Sequence, residues 1–405
     1  MLHSFSCENF YSFKNEVIVD FTVTSSAAKN ESYVTAESQT NLTKILAVIG
    51  YNASGKTHLL KVLPFLQCFL VESFAANPQN PNPIQPFLFG DSKDKPSKIA
   101  TTFEIAGDIF TYWLELDSQK IIFEKLNVRN KSKKRSTVKT LFTKAWDAKK
   151  SSYDFKDIGF DLPKVIPETW LRTNASVIST AFRLQHKISS DIASFWQKIQ
   201  SNVVEGGRLD DSIPKSIDLI NALIFFCENE HLKKEAEKLI ARFDLGFSQC
   251  DIKKETKDNQ QVAVNAAVVH SFKGKDYRLS LRYESSGTKH LLVILKTVLE
   301  VLANGGIAVL DEFDANLHPS MVLPLLKLFM SCDTNPKNAQ IIFSTHSHRI
   351  LAELDKQQIF LVEKNKQGIS EGWRLDEMEG VRADDNYYAK YIAGAYGAVP
   401  NITEK

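Results

Sequence analysis

The stretch Ile45–Thr57, ILAVIGYNASGKT, places G-x-x-x-x-G-K-T directly after an apolar, β-branched run. That order of residue types suits the binding of a polyphosphate. Ile45–Ile49 is predicted to be a buried strand, and residues 50–55 the phosphate-cradling loop. Lys56–Phe74 is predicted to be the helix whose N-terminal N–H groups and dipole hold anionic oxygens. Gly50, Asn52, Ala53, Ser54 and Gly55 are then the nucleotide-binding backbone. Lys56 is expected to reach the β- and γ-phosphates, and Thr57 to bind Mg²⁺ through its hydroxyl. A glycine turn beside a solvated lysine would also fit the eight residues alone. The strand before, the helix after and a carboxylate motif downstream favour the nucleotide reading.

That carboxylate motif is Gly306–Pro319, GIAVLDEFDANLHP. Ile307–Leu310 reads as a central strand, with Asp311 and Glu312 emerging at its carboxyl end, where open α/β sheets bind ligands. Asp311 suits the Mg²⁺ shell through water, and Glu312 suits the general base that polarises an attacking water. An acidic pair at a strand end is more often a helix cap, and the upstream phosphate loop reverses that preference. Gln340–Ser347, QIIFSTHS, is a third apolar strand, ending in Thr345 and His346. His346 is placed to sense a γ-phosphate as a hydrogen-bond donor. Glu284–Thr288, ESSGT, opens an amphipathic helix expected over Gly287–Leu302, and hydroxyl residues plus glycine at a helix start form an anion site.

Taken in order, the phosphate loop, ESSGT, VLDE and STH resemble the ABC-type ATPase head shared by transporter ATPases, SMC proteins, RecF and OLD-type defence ATPases. The resemblance implies ATP and Mg²⁺ as ligands. It also implies that Ser285, Ser286 and Gly287 act in trans on the γ-phosphate held by a second subunit, so that two heads sandwich two nucleotides. By the same resemblance, His346 would take the switch-histidine role. Ala315–His318 falls where the class has its D-loop, and His318 replaces the usual Asp. The opening CENFYSFKNEVIVDF is similar to the start of SMC, RecF and OLD-type heads. Tyr387–Pro400, YYAKYIAGAYGAVP, resembles the ending of the RloA/AbiL group of bacterial ATPases, which occur in phage-defence loci beside a separately encoded effector.

A chain of 405 residues, 43% hydrophobic and 24% charged, holds one elaborate α/β head or two ordinary domains. The formal net charge of +2 gives no global pull toward DNA or membrane. The five cysteines show no metal-ligand spacing, and reduced, buried thiols in a cytoplasmic protein are the expectation. No targeting segment is apparent. Leu291–Ala303, read as the most apolar helix, is interrupted by Lys296 and too short to span a bilayer, so no membrane partner is expected.

The fold class expected is α/β: an ABC-type P-loop head with a mixed central sheet, an antiparallel β side sheet and an inserted helical subdomain. Its divisions are an N-terminal lobe at 1–150, a helical insertion at 151–255 and a C-terminal lobe at 256–405. Ala100–Ala106, Ile109–Leu116 and Ile121–Val128 alternate apolar and polar residues and give the side sheet. Ala75–Pro86 is a Pro- and Asn-rich loop where such heads keep their glutamine lid, which makes Gln85 a further metal-site candidate. Arg129–Lys139 has six Lys or Arg in eleven residues. A solvated loop is its favoured reading, and it is also the best nucleic-acid candidate in the chain. Helical periodicity runs through Ile213–Phe226 and Leu232–Phe243 without sustained heptads, so a compact subdomain is expected rather than a long arm.

Phe360–Glu363 resembles the first strand of a TOPRIM nuclease. Asp384-Asp385 is not the D-x-D such a domain needs, and only residues 364–405 remain to build it. The expected function is therefore a dimeric ATP-hydrolysing switch or sensor in an anti-phage system, with a separate effector such as a nuclease. The alternatives are a RecF- or SMC-like ATP-gated DNA-binding module, and a scaffold that holds an effector inactive.

Overall fold

The computed structural model describes residues 1–24, 30–130, 137–162, 171–204, 207–208, 215–243, 246–247, 249–256 and 262–400. Its central sheet runs in the order Ile199–Ser201, Ile307–Leu310, Gln340–Ser344, Ile45–Ile49, Ile359–Lys364, Ser370–Arg374. The first five strands are parallel and the last is antiparallel. Side chains alternate between two cores with the strand period of two. Leu46, Val48, Val309, Ile342 and Phe360 enter one core, while Ile45, Ala47, Ile49, Leu310, Phe343 and Leu361 enter the other. Burial on both faces is why these strands read as continuous apolar runs.

The first core is closed by helices Lys56–Leu60 and Val62–Glu72 and by the side sheet. The side sheet is antiparallel throughout: Ser152–Asp157, Val138–Asp147, Ile121–Arg129, Asp108–Leu116, Ser97–Ile105, Leu2–Glu8, Val17–Asp20. The second core is closed by helices Ser286–Asn304, Pro319–Met330, Lys215–Glu228 and Glu230–Arg242.

Within 151–255 the structure holds more than helices. Ser152–Asp157 extends the side sheet, Ile199–Ser201 is the edge strand of the central sheet, and Gln249–Thr256 pairs with Val262–Phe272. Ile199–Ser201, three residues long, is decided by its partner strand Ile307–Leu310 rather than by a period of its own. A three-stranded sheet, Gln249–Thr256, Val262–Phe272 and Lys275–Ser280, leads directly into the ESSGT segment.

Two smaller expectations also change. The sequence reads Leu291–Ala303 as the most apolar helix; among the described residues it is Lys56–Ala75 that is apolar and long enough to cross a membrane by length and composition. Its Leu59, Leu63, Leu66 and Leu70 are buried in the first core, as a core helix requires. The cysteines are all free thiols, but Cys332 is exposed and Cys68 and Cys227 are half-buried. Most of the basic run falls at 131–136, outside the described residues.

Candidate nucleotide site

The phosphate loop leaves the central strand at Gly50, where a Cβ would lie 2.1 Å from Val362 O. Only glycine lets the chain pass strand Ile359–Lys364 so closely. Ala53 (φ 63°) and Gly55 (φ 121°) then take positive-φ conformations, of the kind from which anion-binding nests of backbone amides are built. A Cβ on Gly55 would meet Ser370 Oγ at 2.5 Å and Ser12 Oγ at 2.9 Å. Ser370 Oγ donates to Ser54 O at 2.6 Å and lies 2.8 Å from Ser12 Oγ. The loop is therefore braced from behind by residues 42 positions before and 316 positions after Ser54.

Lys56 is buried, and its ammonium donates to Gly50 O at 2.8 Å and Tyr51 O at 3.0 Å. Burial lowers its proton affinity, and the carboxylates Asp311, Glu312 and Asp314 act against that shift. Ser54 Oγ is fully buried and finds no hydrogen-bond partner among the described residues. Thr57 Oγ1 donates to Asp311 Oδ2 at 2.7 Å. A hard cation takes oxygen ligands, and the Thr57 hydroxyl with the Asp311 carboxylate offers such a set. A buried hydroxyl without a partner among the described residues, a buried ammonium and this oxygen pair all fit a Mg²⁺-nucleotide.

Asp311 is held from three sides. Ser344 Oγ donates to Oδ1 at 2.5 Å, while Asn202 accepts from its N–H at 2.7 Å and donates to its carbonyl at 2.9 Å. Glu312 follows with φ 46°, a left-handed conformation that costs a non-glycine residue and persists where the surroundings impose it. Its N–H donates to Ser344 Oγ at 2.7 Å. His346 Nε2 stands 3.8 Å from Glu312 Oε1, with both side chains partly exposed to the same cleft.

That cleft has a volume of about 480 Å³ and is lined by Asn52, Ala53, Gly55, Lys56, Thr57, His58, Asp311, Glu312, His346 and Lys364. The fold thus brings together the loop, the carboxylate pair and the histidine. Gln85 is not among the lining residues; its carbonyl accepts from Tyr11 N at 2.8 Å, and its side-chain amide donates to Pro86 O at 3.4 Å. Thr57 and Asp311, by contrast, both line the cleft.

Ser285, Ser286 and Gly287 lie elsewhere. Ser285 caps helix Ser286–Asn304, accepting from Thr288 N at 3.0 Å. Ser285 and Ser286 are exposed, and none of the three lines the cleft of its own chain. A Cβ on Gly287 would lie 2.7 Å from Asn316 O, so the segment after Glu312 packs on the start of this helix. His318 caps the next helix, Pro319–Met330, accepting from Ser320 N at 3.3 Å. That is a structural task the usual Asp could share.

Sequence reasoning missed Asn202, Ser344, His58 and Lys364. His58 follows the GKT motif directly. Its ring packs on Tyr11 at 4.9 Å and its Nδ1 lies 2.9 Å from Ser12 Oγ. Burial, with the cations Lys61 and Lys364 nearby, holds it down to about 4. Its position beside the motif was the available signal. Ser344 had one as well, a small polar residue ending an otherwise apolar strand. Asn202 had none.

The parallel central strands, the phosphate loop and the carboxylate pair beside it make an α/β head with a P-loop nucleotide site. Residues 45–352 match the family described as "AAA domain, putative AbiEii toxin, Type IV TA system", and the chain belongs to that family. No curated protein matches the chain. Among solved structures it is similar to the SMC head domain from Thermotoga maritima, at 14% identity over 92% of this chain and 98% of that one, TM-score 0.41. It is similar also to an SmcHead bound to the C-winged helix domain of ScpA, at 13% identity over 93% and 99% of the two chains, TM-score 0.47. A third is an Smc head with an extended coiled coil, bound to the C-terminal domain of ScpA derived from Pyrococcus furiosus, at 12% identity over 93% and 97%, TM-score 0.43.

Proposed function

We propose that this chain hydrolyses ATP slowly, as a switch, in a dimer whose two nucleotides are each shared between subunits. The observation that carries this reading is the single cleft where Lys56, Thr57, Asp311, Glu312 and His346 converge. Lys56 and the loop amides bind the phosphates, and Thr57 with Asp311 would hold Mg²⁺, whose charge would offset that developing on them. Glu312, oriented by Ser344, accepts the proton of the attacking water, and His346 donates toward the γ-phosphate. Ser285, Ser286 and Gly287, exposed and outside their own chain's cleft, complete the site of a partner subunit.

The biology proposed is bacterial phage defence beside a separate effector, in the cytoplasm. The ending at Tyr387–Pro400 and a family description that names a toxin–antitoxin system support it. The closer kinship with the RloA/AbiL group belongs to this proposal.

Two measurements test the chemistry. Glu312→Gln keeps shape and nucleotide binding but removes the base, so turnover falls by roughly two to four orders of magnitude while the ATP-bound dimer accumulates. Near-normal hydrolysis by this variant would place the base elsewhere. Lys56→Ala and Ser286→Arg are each inactive, and mixing them restores part of the activity, because some mixed dimers contain one intact composite site. No recovery at any mixing ratio overturns the shared-site reading.

A further inference from the structure

The segment just before the signature serines is tied to the inserted subdomain through one imidazole. His270, in strand Val262–Phe272, faces Gly246 O with Nδ1 at 2.8 Å. A carbonyl only accepts, so Nδ1 donates there. Its Nε2 lies 2.8 Å from Glu284 Oε1, and the Glu284 side chain is only 11% exposed. Gly246 belongs to the connection after helix Glu230–Arg242, and Glu284 is covalently next to Ser285, the cap of helix Ser286–Asn304. One ring therefore contacts the connection, the three-stranded sheet and the residue that precedes the signature.

The strand before Glu284 reinforces this arrangement. Tyr277 pairs directly with His270 across the sheet, and Lys275–Ser280 runs into the short turn Leu281–Tyr283 that delivers Glu284. Glu284 N donates to Leu281 O at 3.1 Å, so its backbone closes that turn while its side chain is held by the ring. A carboxylate fixed at both ends sets the direction in which Ser285 and Ser286 leave the sheet.

We propose that His270 is a positioning residue for the signature: through Glu284 it sets the placement of Ser285 and Ser286 against the partner subunit's nucleotide, and so couples the inserted subdomain to hydrolysis. This rests on the shared-site reading above. His270 touches no nucleotide, and its effect reaches the reaction through the neighbouring subunit's site.

The test follows from that route. His270→Ala lowers kcat by about tenfold or more and leaves ATP affinity within about twofold, because the subunit's own phosphate loop is intact. Glu284→Ala does the same, while Glu284→Gln, whose amide can donate to or accept from Nε2 of the ring, retains most activity. In mixed dimers His270→Ala recovers activity with Lys56→Ala, whose signature is sound, and recovers none with Ser286→Arg, which fails at the same half-site. A variant that was simply misfolded would complement neither. Unchanged kcat, a loss confined to ATP affinity, or recovery with Ser286→Arg overturns the proposal. The pair Lys56→Ala with Ser286→Arg is run alongside. If that pair fails to recover, the shared-site reading is what falls, and the kcat-against-affinity split still decides the role of His270. If it recovers while His270→Ala with Lys56→Ala does not, the role of His270 is what falls.

Discussion

Ser344 does two things with one hydroxyl: it donates to Asp311 Oδ1 and accepts from the N–H of Glu312. The second contact holds a glutamate in a left-handed conformation, and with it the direction of the carboxylate. Ser344→Ala leaves both groups short of a partner. The expected cost is about 1–3 kcal/mol of stability in denaturant unfolding, with a fall in turnover larger than the change in ATP affinity. Equal losses in both would mean that Ser344 supports the fold alone. His58 adds a pH dependence whose sign is fixed by the direction of its shift. It ionises near 6.5 in the unfolded chain and near 4 in the folded one, so between those values the unfolded state binds the extra proton. Stability is complete above pH 6.5 and is lost as the pH falls toward 4. His58→Gln flattens that part of the profile, and an unchanged slope would assign it to other groups.

Among elements, the side sheet is joined to the following segment by a buried ion pair. Glu124 and Lys144 face each other across neighbouring strands, both fully buried, at 3.9 Å. Glu124 accepts from Tyr112 Oη at 3.0 Å, Ser176 Oγ at 2.6 Å and Val177 N at 3.0 Å. Lys144 donates to Arg172 O at 2.8 Å and Ala175 O at 3.0 Å. Burial pushes the carboxyl up and the ammonium down, each opposed by the other's charge. Lys144→Met strands Glu124 in the core and is expected to cost about 3–5 kcal/mol. Adding Glu124→Gln recovers part of that loss, and a double variant no better than the single would show that the carbonyl contacts of Lys144 matter more than its charge.

Taking the chain as one body, helix Ser286–Asn304 lies in the second core with helices Lys215–Glu228 and Glu230–Arg242. Leu291, Leu295 and Val298 share that core with Leu223, Phe226, Ala236 and Ile240. The inserted subdomain is therefore part of the head's interior on this side, and removing residues 166–247 outright would also take strand Ile199–Ser201 and Asn202 out of the site. A single truncation is the cleaner probe. Phe226→Ala is expected to cost about 3–5 kcal/mol in thermal or denaturant unfolding. A loss below about 1 kcal/mol would mean the helices dock loosely and are separable from the head.

By itself the sequence singled out the loop before Lys56, the pair Asp311 and Glu312, and His346, which the fold brings to one cleft, because each is written into a few contiguous residues at fixed spacing. It also determined the alternating strands of the side sheet, since period-two burial is a local pattern. Tertiary structure alone decided what holds those groups. Asn202 reaches Asp311 across 109 residues, Ser370 reaches Ser54 across 316, and His270 reaches Glu284 from the neighbouring strand of a sheet. It also left Gln85 outside the cleft and placed the short strand Ile199–Ser201 at the edge of the central sheet. A hydrogen bond between residues distant in sequence leaves no mark in either one's neighbourhood, and a three-residue strand has no period of its own, so only the folded chain could supply them.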